Sequence, residues 1–282
     1  MRIAPFAASA FPYDGEIPDQ HRPFLDVNRG GRRGHTSPRG GILWADQTYS
    51  DRNTLLYVPG GFDIRRPAAI VVYFHGNLAR LGRDVAYRQR VPRQLFHARL
   101  NAVLVAPQMA VDALDSSAGH FWERNFFAKY MNEAATHLAE LTGLPASRFN
   151  ALPIIIVAYS GGYLPAIYSA TVGGTGVRIG GIVLLDALFG ETDAYADWIA
   201  HNRNHAFFLS AYSRASETEN IALRSTLDKQ GIDVEQGLPS ELTPGTIAFL
   251  GARDAVHNDF VTRAFTLDPL EVILAHIKAY RH

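Results

Sequence analysis

The sequence contains no cysteine among its 282 residues. This absence excludes disulfide bonds, a thiolate nucleophile and any zinc site built from cysteine. It leaves the cellular compartment open, because a chain without cysteine is compatible with both the cytosol and export. If the protein carries out covalent catalysis, its nucleophile must be another side chain.

The chain also lacks an excess of charge of either sign. Lysine and arginine number 27 together, as do aspartate and glutamate, and charged residues make up 19% of the sequence. A balanced surface gives no electrostatic reason to expect nucleic acid or anionic lipid as a partner. It favours a small or uncharged substrate.

Long apolar segments are missing as well. The amino-terminal MRIAPFAASAFPYDGE has one arginine and no apolar stretch long enough for the core of a signal peptide, and no segment approaches the ~20 apolar residues of a membrane span. We therefore expect a soluble protein with no membrane span, either cytoplasmic or exported with its signal peptide already removed. The oligomeric state is left open.

Signals for a cofactor are few. No glycine-rich phosphate loop is present. His201 and His205 have the i, i+4 spacing of a metal-binding pair, but no third ligand is evident in the sequence. We therefore expect neither a metal nor another cofactor.

The length of the chain is compatible with one large core, so we expect a single domain over residues 1–282. Residues 1–45 are rich in proline, glycine and arginine and are predicted to form an irregular arm on its surface. RGGRRGHTSPRGG, at 29–41, is the least structured part by composition. Its arginines could bind an anion, but a solvated loop is the favoured interpretation.

Apolar runs after the arm predict the strands of a sheet. Most of these runs are continuous, which is typical of strands covered on both faces in a parallel sheet. Helical stretches alternate with them, and this order predicts an α/β fold with a central, mostly parallel sheet and helices on both faces. In such sheets ligands bind beyond the carboxyl ends of the strands. The predicted strands are 53–60, 68–76, 101–108, 153–161, 181–190, 205–213 and 245–252, and the predicted helices are 84–99, 121–142, 162–173, 191–203, 216–231 and 267–280.

The most informative of these strand ends is IIIVAYSGGY, at 154–163, where an apolar run stops at Ser160 and two glycines follow. A strand that turns sharply into a helix needs small neighbours and pushes the side chain at its tip above the sheet. Ser160 is therefore the candidate nucleophile, although alanine stands where the usual Gly-x-Ser-x-Gly pattern has its first glycine. Ser116, Ser117 and Ser213 are rivals, and Ser213 ends a second AYS that lacks the glycines.

A serine nucleophile requires a base to accept its proton and an acid to orient that base. His257 is the candidate base, because it follows the last predicted strand and could reach over the sheet from there. Asp186 is the first choice for the acid, because a carboxylate after five apolar residues is costly to bury unless it is paired. The alternative roles for Asp186 are a helix cap and a structural salt bridge. Asp254 is the alternative acid.

Attack on an acyl carbon builds negative charge on the carbonyl oxygen, so hydrogen-bond donors must already point at that oxygen. The backbone N–H of Gly161 is one candidate donor. The second is the backbone N–H of Asn77, in the HGN that follows the strand AAIVVYF. We also expect His75, Gly76 and Tyr159 to lie at the substrate-binding site, with His75 bracing the HGN loop.

The segment at 109–130 is predicted to form one rim of the site. Phe121 and Trp122 are candidate substrate-binding residues in an acyl pocket there, and the buried face of a helix is an equally good interpretation. Only about 18 residues separate Asp186 from the next predicted strand, at 205–213, which leaves room for one helix and argues against a large cap.

With FHGN, AYSGG, LLD and the late His257, in the chain order serine, aspartate, histidine, the sequence resembles the α/β-hydrolase family over roughly residues 50–282. The resemblance implies an α/β-hydrolase fold, an acyl-enzyme formed at Ser160 and hydrolysis by water with His257 moving the proton. The leading hypothesis is a serine hydrolase that cleaves a small-molecule or polymeric carboxylic ester. The alternatives are an amidase or peptidase with the same triad and a non-catalytic protein that binds a ligand in a hydrolase-like pocket.

Overall fold

The chain is built around a nine-stranded sheet, and the computed structural model describes residues 1–281. The strands in this range are, in chain order, β1 (Arg2–Pro5), β2 (Glu16–Ile17), β3 (Arg22–Pro23), β4 (Val27–Arg29), β5 (Arg32–Thr36), β6 (Ile42–Trp44), β7 (Asn53–Tyr57), β8 (Ala69–Phe74), β9 (Ala102–Pro107), β10 (Ile154–Tyr159), β11 (Ile179–Leu185), β12 (Phe207–Tyr212), β13 (Glu235–Gln236) and β14 (Ile247–Gly251). The order in the main sheet is β1-β7-β9-β8-β10-β11-β12-β14-β13. β7 is antiparallel to both of its neighbours, and all other adjacent strands run parallel.

Helices cover both faces of this sheet. The α-helices in the described range are α1 (Ala45–Thr48), α2 (Val91–His97), α3 (Phe126–Thr142), α4 (Ala146–Asn150), α5 (Tyr163–Thr171), α6 (Thr192–Asn202), α7 (Glu217–Lys229) and α8 (Pro269–Ala275). Apolar residues of α3, α5, α6 and α7 share one core with the sheet, whereas those of α2 and α8 lie in a second core. No helix in residues 1–281 is long and apolar enough to cross a membrane.

The central strand β8 shows why continuous apolar runs predicted this arrangement. Ile70 and Val72 lie in the first core, Val71 and Tyr73 lie in the second, and all four are fully buried. Successive side chains of a strand point to opposite faces, so a strand with a core on each side must be apolar at every position. The predicted α/β fold with a mostly parallel sheet is confirmed, and each of the seven predicted strands is present in shortened form.

The predicted helix at 84–99 is divided in two. Residues Leu81–Arg88 form a π-helix, and α2 begins only at Val91, after Arg90 has adopted a positive φ of 55°. Pro92 lies in the first turn of α2, where its missing N–H costs no hydrogen bond, whereas it would interrupt a continuous helix.

The prediction that residues 1–45 are irregular is wrong for much of that range. β1 extends the main sheet, β2 pairs with β3, and β4, β5 and β6 form a small antiparallel sheet. The glycines that suggested disorder make the tight connection from β4 to β5, where Gly30 and Gly31 have positive φ angles of 59° and 83°. Phe11 and Phe24 of this arm are buried in the first core. The assignment of one domain to residues 1–282 stays a prediction.

Candidate active site

The backbone turns sharply at the end of β10, and Ser160 occupies the turn with a positive φ of 53°. A left-handed conformation at a residue with a side chain requires support from its surroundings. Small residues provide it here. A Cβ on Gly76 would lie 2.6 Å from the Cβ of Ser160, and a Cβ on Gly162 would overlap the carbonyl oxygen of Phe74. Gly76 therefore makes room for the turn, which is a different role from the substrate contact predicted for it.

Ser160, His257 and Asp186 come together at the carboxyl ends of β10, β14 and β11. The Oγ of Ser160 lies 2.8 Å from Nε2 of His257, and Nδ1 of His257 lies 2.7 Å from Oδ2 of Asp186. An ionised carboxylate accepts hydrogen bonds only, so Nδ1 carries the proton and Nε2 is free to accept one from Ser160. This is the geometry that a serine nucleophile and its base require.

Asp186 is completely buried and is held by four hydrogen bonds. Ser213 donates twice, from its backbone N–H at 2.9 Å and from its hydroxyl at 2.6 Å, and the hydroxyl of Ser216 donates at 2.6 Å. Burial raises the pKa of Asp186, but the hydrogen bonds from His257, Ser213 and Ser216 outweigh burial and lower the pKa below its ordinary value. The carboxyl is therefore ionised at neutral pH, as a partner of the imidazole should be.

The alternative acid is wrong. The side chain of Asp254 is 96% exposed, and its carboxylate lies 3.4 Å from the guanidinium of Arg214. Asp254 lies in the exposed loop that precedes His257. Asp186 is buried at the carboxyl end of β11 and contacts the imidazole from there. Sequence proximity is therefore a poor guide to the acid here.

The HGN loop is braced by His75, which is 2% exposed. The backbone N–H of Met109 donates to Nε2 of His75 at 2.9 Å, so Nδ1 carries the ring proton and donates to the carbonyl of Gly76 at 2.8 Å. Burial lowers the pKa of His75, which favours this neutral form. The side chain supports the loop as predicted, but its burial leaves it no place in the substrate-binding set.

Asn77 and Gly161, the predicted oxyanion donors, both line the cleft beside Ser160. Within residues 1–281, the backbone N–H of Asn77 donates to no protein acceptor. The two residues are in close contact, because a Cβ on Gly161 would overlap Oδ1 of Asn77 and lie 2.6 Å from the hydroxyl of Ser116. That hydroxyl lies 3.4 Å from Oδ1 of Asn77. Ser116 thus borders the donor pair and has no imidazole of its own within the described residues.

Phe121 is misassigned as a residue of an acyl pocket. Its ring is completely buried and packs edge-on against Phe74, Phe127 and Tyr130 with centroid distances of 5.3 to 5.8 Å. The run of aromatic residues reflects core packing, which was the alternative interpretation. Trp122 is 8% exposed and lines a pocket of about 340 Å³ next to the main cleft.

The main cleft has a volume of about 890 Å³ and is lined by both apolar and polar side chains. Leu78, Leu114 and Phe189 line it and are 49%, 42% and 37% exposed. One helix, α6, lies between β11 and β12, which agrees with the absence of a large cap there. The amino-terminal arm instead reaches the site, since Arg39 lines both the cleft and the smaller pocket.

Sequence reasoning missed the side chains that hold the three central residues. Ser213 and Ser216 bind Asp186, and the hydroxyl of Tyr159 donates to the backbone carbonyl of His257 at 2.8 Å. Tyr159 borders the cleft as predicted, although its polar atom is directed to the histidine loop. A signal for Ser213 was available, because it ends the strand next to that of Asp186, and parallel strands end at the same edge.

Within residues 1–281 there is no group of three or more histidine, cysteine, aspartate or glutamate side chains arranged to hold a metal ion. Nδ1 of His201 lies 2.7 Å from the carbonyl of Asp197 in its own helix.

No protein-family model matches the sequence, and no curated protein matches it. Among solved structures, an uncharacterised protein from Capnocytophaga ochracea is 14% identical with a TM-score of 0.48, and the match covers 79% of this chain and 58% of that one. The thermophilic esterase Est2 from Thermogutta terrifontis, with butyrate bound, is 11% identical with a TM-score of 0.46 over 79% of this chain and 85% of that one. An S-formylglutathione hydrolase from Agrobacterium tumefaciens is 13% identical with a TM-score of 0.46 over 88% and 94%. These likenesses are remote.

Proposed function

We propose that this protein is a serine hydrolase that cleaves carboxylic esters through an acyl-enzyme at Ser160. The observation that carries the proposal is the relay in which Ser160, His257 and Asp186 are joined by contacts of 2.8 and 2.7 Å at the floor of a cleft. Asn77 and Gly161 line the same cleft as Ser160, and their backbone N–H groups are the proposed donors to the carbonyl oxygen as it becomes negative. The fold and each of these contacts belong to this chain, so the proposal does not depend on a relative.

In the first half of the reaction, Oγ of Ser160 attacks the ester carbon while Nε2 of His257 takes the hydroxyl proton. Asp186, whose pKa is kept low by its hydrogen bonds, remains ionised and stabilises the imidazolium that forms. The N–H groups of Gly161 and Asn77 stabilise the negative carbonyl oxygen. His257 then gives its proton to the departing alcohol, and the acyl group remains on Ser160.

In the second half, water takes the place of the alcohol. His257 accepts a proton from the water, whose oxygen attacks the acyl carbon, and the second tetrahedral intermediate collapses with return of a proton to Oγ of Ser160. The products are an alcohol and a carboxylic acid, and the enzyme is regenerated.

The cleft offers apolar surface for the acyl group of an ester beside the polar groups that would carry out the reaction. The exposed apolar side chains of Leu78, Leu114 and Phe189 line the cleft. Arg39 and Arg88 line it as well, and Arg88 is paired with Asp84 through a contact of 2.7 Å. Apolar walls with a few directed polar groups are the usual lining of a site for a small organic substrate.

The proposal is tested with short acyl esters of p-nitrophenol. We expect the wild-type protein to release p-nitrophenol, the Ser160→Ala variant to release none above background, and the Ser117→Ala variant to behave as wild type. Ser117 is the matched control because its hydroxyl donates to Asp115 and not to a histidine. Absence of product from a folded wild-type protein would refute the proposal.

Two further measurements separate the alternatives. Rates on an ester and on the matched anilide distinguish an esterase from an amidase, because an amide nitrogen must be protonated as it leaves. A fluorophosphonate that labels the wild-type protein, and no longer labels Ser160→Ala, would exclude a purely ligand-binding role.

A further inference from the structure

His257 lies in an exposed loop, although the proposed reaction requires its position to be well defined. It begins a short 3₁₀ turn, His257–Asp259, after β14. Its side chain is 29% exposed, and the preceding Val256 is 61% exposed. Packing alone therefore restrains this loop weakly, and specific contacts must hold the imidazole at Ser160.

Two side chains reach the loop from other elements, the buried Tyr159 and the exposed Arg88. The hydroxyl of Tyr159, at the end of β10, donates to the backbone carbonyl of His257 at 2.8 Å. Its ring also stacks on the imidazole with a centroid distance of 5.5 Å and an interplanar angle of 24°. From the other side, Nη1 of Arg88 donates to the carbonyl of Asn258 at 3.3 Å.

Tyr159 is better placed than Arg88 to align Ser160 with His257, because it directly precedes Ser160 in the chain. We propose that Tyr159 is a positioning residue for the base, so that one dipeptide, Tyr159–Ser160, holds His257 at both its backbone and its Nε2 atom. The inference rests on the proposed function, since it concerns the alignment of that reaction. A shift in the end of β10 then moves the nucleophile and the base together and preserves their separation.

The environment of Tyr159 suits this role. The side chain is 5% exposed, so it has little freedom to adopt another rotamer. Burial raises the pKa of its hydroxyl, which therefore keeps its proton and remains a donor throughout the pH range in which the base works. Arg88 is held in turn by the buried carboxylate of Asp84 at 2.7 Å, which supports the loop independently.

The test compares substitutions that remove the contacts in steps. Tyr159→Phe removes the hydrogen bond and keeps the stacked ring, whereas Tyr159→Leu removes both. We expect kcat on a p-nitrophenyl ester to fall about tenfold for Tyr159→Phe and about a hundredfold for Tyr159→Leu, which is the size of effect that a misplaced reacting group produces. For Tyr159→Phe, KM should change by less than about twofold, because this variant keeps the ring that borders the cleft.

Tyr13→Phe is the matched control. Tyr13 is also buried, and its hydroxyl also donates to a backbone carbonyl, that of Glu16, at 2.8 Å. Its contact lies in the amino-terminal arm and not at the histidine loop. We expect wild-type kcat from this variant, so that loss of a buried tyrosine hydroxyl alone cannot account for a loss in Tyr159→Phe.

A readout besides activity separates positioning from general stability. In the wild-type protein, the Nδ1 proton of His257 should give a downfield NMR signal that exchanges slowly, because it is held against Asp186. In Tyr159→Phe that signal should broaden and exchange faster at an unchanged Tm, and Arg88→Gln should produce a smaller change of the same kind.

The outcomes are distinct. Unchanged kcat and an unchanged Nδ1 signal in both Tyr159→Phe and Tyr159→Leu would overturn the inference while leaving the proposed function intact. If the wild-type protein hydrolyses no ester, the proposed function fails, and the NMR comparison still decides whether Tyr159 holds His257. If Tyr159→Leu does not fold, Tyr159→Phe and Arg88→Gln carry the same test.

Discussion

The turn at Ser160 and the loop at His257 hold the two ends of the proposed proton relay in different ways. Ser160 directly follows β10, in the middle of the sheet, and is 8% exposed. It is surrounded by glycines at positions where a Cβ would lie too close to neighbouring atoms. His257 follows β14, next to the edge of the sheet, in a loop that is largely exposed. Local sterics therefore position Ser160, the proposed nucleophile, whereas hydrogen bonds from distant parts of the chain position His257, the proposed base.

This difference explains why the Ser160 turn is easier to predict from the sequence than the surroundings of His257. The Ser160 turn depends on the residue types within a few positions, because those residues must be small for the backbone to turn. The His257 loop depends on Asp186, Tyr159 and Arg88, which are 71, 98 and 170 positions away from the residues that they contact. A pattern search can find the first kind of site but not the second.

The largest expected effect tests whether the two regions act as one unit. Ser160→Ala and His257→Ala should each lower kcat by on the order of 10⁶-fold, and the double variant should be no worse than either, because each substitution removes the whole relay. Rates on a p-nitrophenyl ester, with active-site titration of the wild-type protein, provide the measurement. Additive losses would mean that the serine and the histidine act separately.

The next effect concerns the acid. Asp186→Asn should lower kcat by about 10⁴-fold, because an amide that donates to Nδ1 favours the wrong tautomer of His257. Asp254→Asn is the control and should change kcat by less than about twofold, since that side chain is exposed. Equal losses in the two variants would return Asp254 to the list of candidate acids.

A third, smaller effect tests the steric argument for the nucleophile. Gly161→Ala should lower kcat by about 10² to 10³-fold, because the new Cβ would displace Asn77 and disturb the oxyanion donors. Gly60→Ala is the control, since a Cβ at that position would meet nothing within 4 Å. A Gly161→Ala variant with wild-type kcat would show that the close contact with Asn77 is not needed.

The smallest effect is on stability and follows from the lowered pKa of Asp186. A carboxyl whose pKa is lower in the folded than in the unfolded chain stabilises the fold above its unfolded pKa, about 3.9, and loses that contribution as the pH falls through the folded pKa. The gap in unfolding free energy between the wild type and Asp186→Asn should therefore be constant above about pH 5 and narrow as the pH falls below the unfolded pKa toward the lower, folded pKa. Urea denaturation at each pH measures it, and a gap that stays constant at every pH would contradict the assignment.

Much of the fold could be predicted from the order of apolar runs. Most of the seven strands after the arm are continuous in hydrophobicity because both of their faces are buried, and that property belongs to the residues themselves. The strands of residues 1–45 were missed, because their pairing relies on backbone hydrogen bonds that composition does not encode. Their side chains are mostly exposed and show no clear period.

The residues of the candidate site also differ in how well the sequence predicts them, because only some of them belong to a local pattern. Ser160, Gly161 and Asn77 follow strand ends and form a recognisable local pattern, and Asp186 was conspicuous as a carboxylate after an apolar run. Phe121 was misassigned, because an aromatic residue in a core and one in a pocket look alike in a sequence.

By itself, the sequence determined the positions of the main strands along the chain, the sharp turn at Ser160 and the small residues that allow it, because these depend on the volumes and hydrophobicity of neighbouring residues. Only the tertiary structure decided which carboxylate meets His257, since Asp186 and Asp254 differ in burial and not in type. It also decided the partners that hold the base, Ser213, Ser216 and Tyr159 among them. Those contacts join residues far apart in the chain, and their energies depend on distance and burial, which exist only once the sheet has formed.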